Sequence, residues 1–324
     1  MGNVQLPGNE QALTMEALRA HRRGGPEVLV YEQAPRPLPG RGEVLVAVHA
    51  AAITFAELTW PETWESGGVD RTPTIPSHEF AGVVAEVGPA VQDFAPGDPV
   101  FGLVPFNRDG AAAQFVVVPE TSIVHKPGAV SDVDAAAAVM PALTAWEALS
   151  DQAHVAAGQR LLITGGTGGV GAFMTQFAHG MGAEVTVTIT SASSESRARL
   201  LGADRVVITP RGSQPEGLVG FDSAIDAAGG DIPEWLYAAV RPEGRLIVLQ
   251  QPPSESLADK YGIKAAFFVV SAQRDRLDEL GKRLAAGDVQ VAIAETFPLS
   301  EGKAAYESGL LPGRAPGKTV MLVS

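Results

Sequence analysis

The stretch Arg160-Leu-Leu-Ile-Thr-Gly-Gly-Thr-Gly-Gly-Val-Gly171 decides the fold, because a short apolar run empties through a glycine loop straight into a helical pattern. Gly166, Gly168 and Gly171 fit G-x-G-x-x-G, in which one glycine makes a tight turn, one lets backbone approach a pyrophosphate and one lets helix pack on strand. Downstream, Val170, Phe173, Met174, Phe177, Ala178 and Met181 fall at helical spacing, and Val185, Val187 and Ile189 alternate as a strand. This βαβ unit predicts a dinucleotide site, with the N–H groups and positive dipole end of the helix facing a diphosphate. Gly166, Thr167, Gly168, Gly169, Val170 and Gly171 are its expected contacts.

The same alternation continues on both sides. Strands are expected at Leu161 to Thr164, Glu184 to Thr190, Arg205 to Ile208, Asp222 to Asp226, Arg245 to Leu249 and Ala265 to Val270, most of them separated by helical patterns. That is the doubly wound signature of a parallel sheet, an α/β class. The segment Pro210 to Gly220 is too broken for a helix. Before a helical stretch at about Asp132 to Ser150, the chain from Met15 to about Lys126 instead reads as short runs broken by Gly and Pro: Val28 to Tyr31, Glu43 to Val48, Phe80 to Val87, Val100 to Val104 and Gln114 to Val118. Residues 60 to 76, with Trp60, Trp64 and a Gly-Gly pair, form a long excursion of the kind that shapes pockets. After Ala272, Leu277, Leu280 and Leu284 make one helical face, Val289 to Ile293 looks extended, and Lys318 to Val323 closes the chain as a strand.

Composition sets the bounds. With 324 residues, 45% of them hydrophobic, the chain can bury two domain-sized cores. A net charge of −13 argues against nucleic acid as a partner, and the absence of cysteine excludes disulfides and thiolate metal ligands. No run reaches the roughly 18 apolar residues of a membrane span, and residues 1 to 14 lack the order of a signal peptide. They read as a loose extension, and a cytoplasmic location is the default expectation.

The pieces resemble the medium-chain dehydrogenase/reductase superfamily, and within it the zinc-free quinone oxidoreductase-like branch. The likeness rests on Gly24-Gly-Pro-Glu-Val-Leu29, Gly82-Val-Val-Ala-Glu-Val-Gly88, Gly97-Asp-Pro-Val-Phe-Gly102, Leu143-Thr-Ala-Trp146, the glycine loop, Leu201-Gly-Ala-Asp204 and Arg241-Pro-Glu-Gly-Arg245. It implies a GroES-like β-rich barrel domain at 15–126, a Rossmann NADPH-binding domain at 127–270 and a C-terminal return to the first domain at 271–324, with the reactive cleft between the two domains and a homodimer as the assembly. It further implies that Thr144, the Ala227-Ala228-Gly229 turn, Leu249, Gln250 and Phe267 to Val269, Phe268 among them, line the cofactor; the aromatic pair reads equally well as core or subunit contact.

A Rossmann site that takes NAD usually carries an acid about 20 residues past the glycines; one that takes NADP lacks it and offers hydroxyls or a cation. Here the second strand runs into Thr188-Ile-Thr-Ser-Ala-Ser-Ser194, and the first acid is Glu195. Ser191, Ser193 and Arg197 are expected to hold a 2′-phosphate, which predicts NADPH. The competing reading has the serines capping the next helix and the arginines on its wet face.

Zinc members of the superfamily use a Cys, a His in Gly-His-Glu and a third ligand, whereas this chain reads Ser77-His-Glu79 and has no Cys. A site built from His78, Glu79 and Glu57 would be the alternative. Without a Lewis acid, reduction of a conjugated carbonyl is favoured over oxidation of an alcohol, since the cofactor carries the hard step. Zinc-free relatives often show Asn-x-x-Asp where this chain has Thr54-Phe-Ala-Glu57. Thr54 and Glu57 are therefore the expected catalytic pair, and Trp60, Trp64, His78, Phe106 and Tyr261 the expected substrate pocket. The function expected is an NADPH-dependent quinone or enone reductase; an alcohol or ketone dehydrogenase with an unusual metal site and a non-catalytic NADPH-binding protein are the alternatives.

Overall fold

A computed structural model describes residues 13–210, 212–311 and 313–323. The expected N-terminal extension lies outside the described residues up to position 12, and Thr14 already opens a strand. The chain divides into two compact units: one takes residues through Val139, Ala272–Ala286 and Val291 onward, the other Met140–Ser271 with Gly287–Gln290. The division therefore falls inside the helix Asp132–Glu147 rather than at the sequence boundary of 126/127.

The second unit holds a six-stranded parallel sheet in the order Arg205–Ile208, Glu184–Ile189, Arg160–Thr164, Phe221–Asp226, Val240–Val248, Lys264–Phe267. Taken in chain order the strands stand 3-2-1-4-5-6, the doubly wound Rossmann arrangement. Such strands are covered on both faces, and Leu161, Leu162 and Ile163 are accordingly all buried. The strand order reverses between Arg160–Thr164 and Phe221–Asp226, which pair in register from Leu161↔Ser223 to Thr164↔Asp226. In sheets of this kind ligands bind beyond the strand ends at such a switch point. Pro210 to Gly220 forms turns and bends without a helix among its described residues.

The first unit is built on a seven-stranded sheet in which Glu43–Ile53 is flanked by Glu79–Val87 and Lys318–Leu322, with Phe115–Pro119 also paired to it. The last strands of the chain thus join the N-terminal sheet, Met321 opposite Ala51. Phe115–Pro119 alternates buried and half-buried residues while Glu43–Ile53, Glu79–Val87 and Lys318–Leu322 are buried along most of their length, and with the helix Gly302–Glu307 they supply one core that includes Phe80, Val116, Tyr306 and Met321. The strand Ile293–Pro298 begins where the extended run from Val289 was expected to end. Within residues 60–76 the chain makes a short helix, Pro61–Trp64, then a two-residue ladder of Glu65–Ser66 on Val69–Asp70. Its turn is Gly67-Gly68 with φ of 58° and 80°, the left-handed pair that a tight hairpin requires.

Candidate active site

In the second unit, the predicted cofactor residues other than Thr144 follow the C-terminal ends of parallel strands. Gly166 to Gly171 follow Arg160–Thr164, and Ser191, Ser193 and Arg197 follow Glu184–Ile189. Ala228 follows Phe221–Asp226, Leu249 and Gln250 follow Val240–Val248, and Phe268 and Val269 follow Lys264–Phe267. Thr144 lies buried on Asp132–Glu147. The helix Gly169–Gly180 starts at Gly168 with no side-chain cap, so its first N–H groups are available to an anion.

The glycines divide their work differently from the template. The turn with positive φ (64°) is at Gly165, one residue earlier than the motif count placed it. A Cβ on Gly166 would stand 2.5 Å from Val187, and one on Gly171 would stand 2.1 Å from the Gly165 carbonyl oxygen. Gly168 is the least crowded of the three, its one neighbour within 4 Å the Gly165 oxygen at 3.3 Å, a tight contact that a shift of a few tenths of an ångström relieves. Behind the loop, the Thr164 hydroxyl donates to the buried Asp226 carboxylate, which also accepts from the Ala228 N–H at 3.2 Å. Neither Gly165 nor Asp226 was among the expected site residues, although a strand ending Ile-Asp-Ala-Ala-Gly-Gly was a signal for the second.

At the adenosine-side turn, Ser191 accepts weakly from the Ser193 N–H at 3.3 Å, so the capping reading holds for that serine while both hydroxyls stay exposed. The two arginines part company. Arg199 is tied to Glu195 at 3.0 Å, whereas the Arg197 Nε is buried with no hydrogen-bond partner among the described residues.

In the first unit, strand pairing brings three chain positions to one sheet end. Thr319 is opposite Ile53 and Ala52 opposite Glu79, so Lys318, Thr54 and Glu79 come side by side. Thr54 Oγ1 donates to Glu79 at 2.9 Å and accepts from Lys318 Nζ at 3.0 Å, and the Lys318 ammonium also bonds to the Glu79 carboxylate. Glu79 is fully buried and Lys318 is 8% exposed. Lys318 was not foreseen, though a lysine opening the apolar strand Lys-Thr-Val-Met-Leu was visible.

Beside this ring, Trp60 and His78 both meet Phe106 edge to face, with centroids 5.3 and 5.1 Å away. Arg71 braces the wall, donating to the Phe106 carbonyl at 3.1 Å and to the Glu62 carbonyl. His78 is buried, its Nδ1 has no hydrogen-bond partner among the described residues, and burial, with Arg71 nearby, pushes its pKa down to about 3. It is a neutral imidazole at physiological pH.

Three expected roles are corrected. Glu57 is fully buried, its oxygens accepting from the Tyr306 hydroxyl and, at 2.9 Å, from the Ser77 N–H, so it does not face an acceptor. Its work is to hold Ser77, whose φ of 70° lies in the left-handed region, and with it the entry to His78; such a conformation costs about 1–3 kcal/mol. Desolvation pushes the Glu57 carboxyl up to about 7. Trp64 is buried and donates to the Leu58 carbonyl at 3.0 Å, as a core residue rather than a pocket wall. Tyr261 packs on the core of the second unit and donates to Glu234 at 2.8 Å, as a packing residue of that unit rather than a pocket wall.

The donor set does not fit a metal. Glu79 is bonded to an ammonium and Glu57 to a phenol and an amide, and among the described residues no group of three His, Cys, Asp or Glu side chains could hold a metal ion.

Comparison with known proteins agrees with this architecture. Residues 40–128 match the alcohol dehydrogenase GroES-like domain and residues 201–321 the zinc-binding dehydrogenase family. The mitochondrial NAD(P)H oxidoreductase of Homo sapiens is 31% identical over 327 residues, covering 87% of this chain and 82% of that protein. A 2-haloacrylate reductase of Burkholderia sp is 27% identical over 316 residues, covering 89% and 93%. The solved quinone oxidoreductase of Coxiella burnetii superposes with a TM-score of 0.84 at 26% identity, over 96% of this chain and 100% of that one. The chain belongs to the medium-chain dehydrogenase/reductase superfamily, in its quinone oxidoreductase-like branch, and is an oxidoreductase that uses a nicotinamide cofactor.

Proposed function

We propose that this oxidoreductase reduces a quinone or an α,β-unsaturated carbonyl with NADPH, independently of zinc. The observation that carries the cofactor choice is the pairing of the two arginines after Ser191: Glu195, the first acid after that serine in sequence, is held by Arg199, while Arg197 has an Nε without a hydrogen-bond partner among the described residues and is assigned to a 2′-phosphate. When bound, NADPH supplies the hydride. The chain's own part is to seat the diphosphate on the amides after Gly165, to hold Thr54 beside an acceptor oxygen, and to offer the Trp60 and Phe106 faces to a flat conjugated acceptor. A relative named as a haloacrylate reductase supports a conjugated alkene as the acceptor class. Arg197→Ala is expected to weaken NADPH binding about 10-fold, the worth of one charge-assisted pair, and to leave NADH binding unchanged. Nucleotide fluorescence titration measures both, and an equal loss for the two nucleotides would remove Arg197 from the assignment.

A homodimer is proposed as well. Lys264–Phe267 is an outer strand of its sheet, and Phe267 and Val269 beside it are 38% and 61% exposed, an edge that a second copy would cover. Light scattering should give twice the chain mass for the wild type and the monomer mass for Val269→Lys; a wild-type monomer at micromolar concentration sinks this assembly.

A further inference from the structure

The ring formed by Lys318, Thr54 and Glu79 is a polar device that the nucleotide site does not explain. At that end the sheet places an ammonium, bonded to the Thr54 hydroxyl and to the Glu79 carboxylate. Lys318 opens the strand Lys318–Leu322 opposite Thr54, lies 8% exposed, and divides its hydrogen bonds between the Thr54 hydroxyl at 3.0 Å and the buried Glu79 carboxylate. Glu79 makes the lysine's burial possible, since a buried cation needs a partner. The charge-assisted bond from Lys318 polarises the Thr54 hydroxyl, which is half-buried where the lysine is not accessible.

We propose that Lys318 is the positioning residue of the acceptor site: its ammonium acts through the Thr54 hydroxyl on the acceptor oxygen, as a fixed positive charge built from protein. This rests on the reduction proposed above, with Thr54 next to that oxygen. In such a reduction the acceptor gains a hydride at its β-carbon as NADPH is oxidised to NADP⁺. The C=C electron pair shifts so that negative charge collects on the carbonyl oxygen, and solvent then supplies the proton that completes the saturated ketone. Thr54 turns its hydrogen from Glu79 to that oxygen while Lys318 continues to donate to Thr54 Oγ1, so the charge is met by a dipole aligned before the reaction. Glu79 keeps its lysine partner throughout.

The test compares two acceptors that need polarisation to different degrees. Methyl vinyl ketone must place a full negative charge on oxygen, whereas benzoquinone is intrinsically electrophilic. Lys318→Met should lower kcat about 30-fold with the enone and about 3-fold with the quinone, with KM for NADPH unchanged. Lys318→Arg should restore most of the enone rate. Because removing the ammonium alone leaves the Glu79 carboxylate buried without it, Lys318→Met/Glu79→Gln provides a neutral background in which the same ratio should appear. Thr54→Val should reproduce the enone loss, and adding Lys318→Met to it should cost little more, since both act on one path. A readout independent of turnover is the pKa of bound 4-nitrophenol, an oxyanion mimic, which should be about one unit lower on the wild type than on Lys318→Met. Equal losses on both acceptors, additive single losses, or an unshifted nitrophenol overturn the role of Lys318 while leaving the reductase reading standing. A wild-type protein that binds NADPH tightly and oxidises it with neither acceptor overturns both.

Discussion

A Gly168→Ala variant is expected to fold with close to wild-type stability and to lose about 100-fold in NADPH affinity, while Gly171→Ala should lose stability first. The two glycines belong to one motif, yet the loop uses them in opposite ways. At Gly171 an added Cβ meets the Gly165 carbonyl oxygen at 2.1 Å, a backbone atom that cannot rotate away. Helix and strand must separate to admit it, an overpacking cost of about 3 kcal/mol. At Gly168 the added methyl has only the Gly165 oxygen within 4 Å, at 3.3 Å, and the backbone φ of −72° suits any residue. Stability should change by less than about 1 kcal/mol. The methyl then occupies the space in front of the helix N-terminus, where the diphosphate must reach the free N–H groups. Losing two such charge-assisted bonds, at roughly 1.4 kcal/mol each, gives the 100-fold. Calorimetry and nucleotide titration on the two variants separate the effects. Unaltered NADPH affinity in Gly168→Ala would move the diphosphate off this loop and remove the physical basis of the cofactor site.

That division shows why some of the site was legible in the sequence and some was not. The glycine loop, the strands from Arg160 to Val248 and the missing acid before Glu195 obey local rules: a tight turn, a two-residue period, an absent side chain. Each can be read within some 30 residues. Even there, the template misplaced the left-handed turn by one, because Gly165 and Gly166 are indistinguishable until Val187 is seen to crowd the second. The polar ring follows long-range pairing. Lys318 and Thr54 are 264 residues apart and meet through the antiparallel register of their strands, while Tyr306, on the helix Gly302–Glu307, is 249 residues from Glu57 and meets it only through tertiary packing. The same distance explains the error over Glu57. Its position three residues after Thr54 matched a family pattern, but a partner at Tyr306 and the left-handed Ser77 determine that it points inward. Trp64 and Tyr261 illustrate a related limit, since an aromatic side chain that forms a core and one that lines a pocket have the same local spacing.

Glu57 and His78 should leave a signature in the pH dependence of stability, hidden in the wild type and exposed by single substitutions. Burial raises the Glu57 carboxyl from its ordinary 4.5 to about 7, so between these values the folded protein holds a proton that the unfolded chain has released. The native state binds more protons in that window, and stability therefore falls as pH rises through it, by about 3 kcal/mol in all. Below 4.5 the contribution is fully present; above 7 it is gone. His78 works in the other direction. Burial lowers it from 6.5 to about 3, so between these values the unfolded chain holds the extra proton and stability rises with pH. From pH 4.5 to 6.5 the two slopes oppose and cancel. Glu57→Gln can still accept from the Ser77 N–H and donate to the Tyr306 oxygen, so it should fold, and it removes only the falling slope. Its stability is expected to climb by about 3 kcal/mol from pH 4.5 to 6.5 relative to the wild type. His78→Gln should decline over the same range by a similar amount. Urea midpoints at half-unit steps from pH 4.5 to 7.5 measure all three proteins, and differences between variants are insensitive to the other titrating groups they share. If the Glu57→Gln curve runs parallel to the wild type, the carboxyl is ionised in the fold. Glu57 would then be a buried anion next to His78, and the neutral imidazole assigned to the aromatic wall would have to be given up.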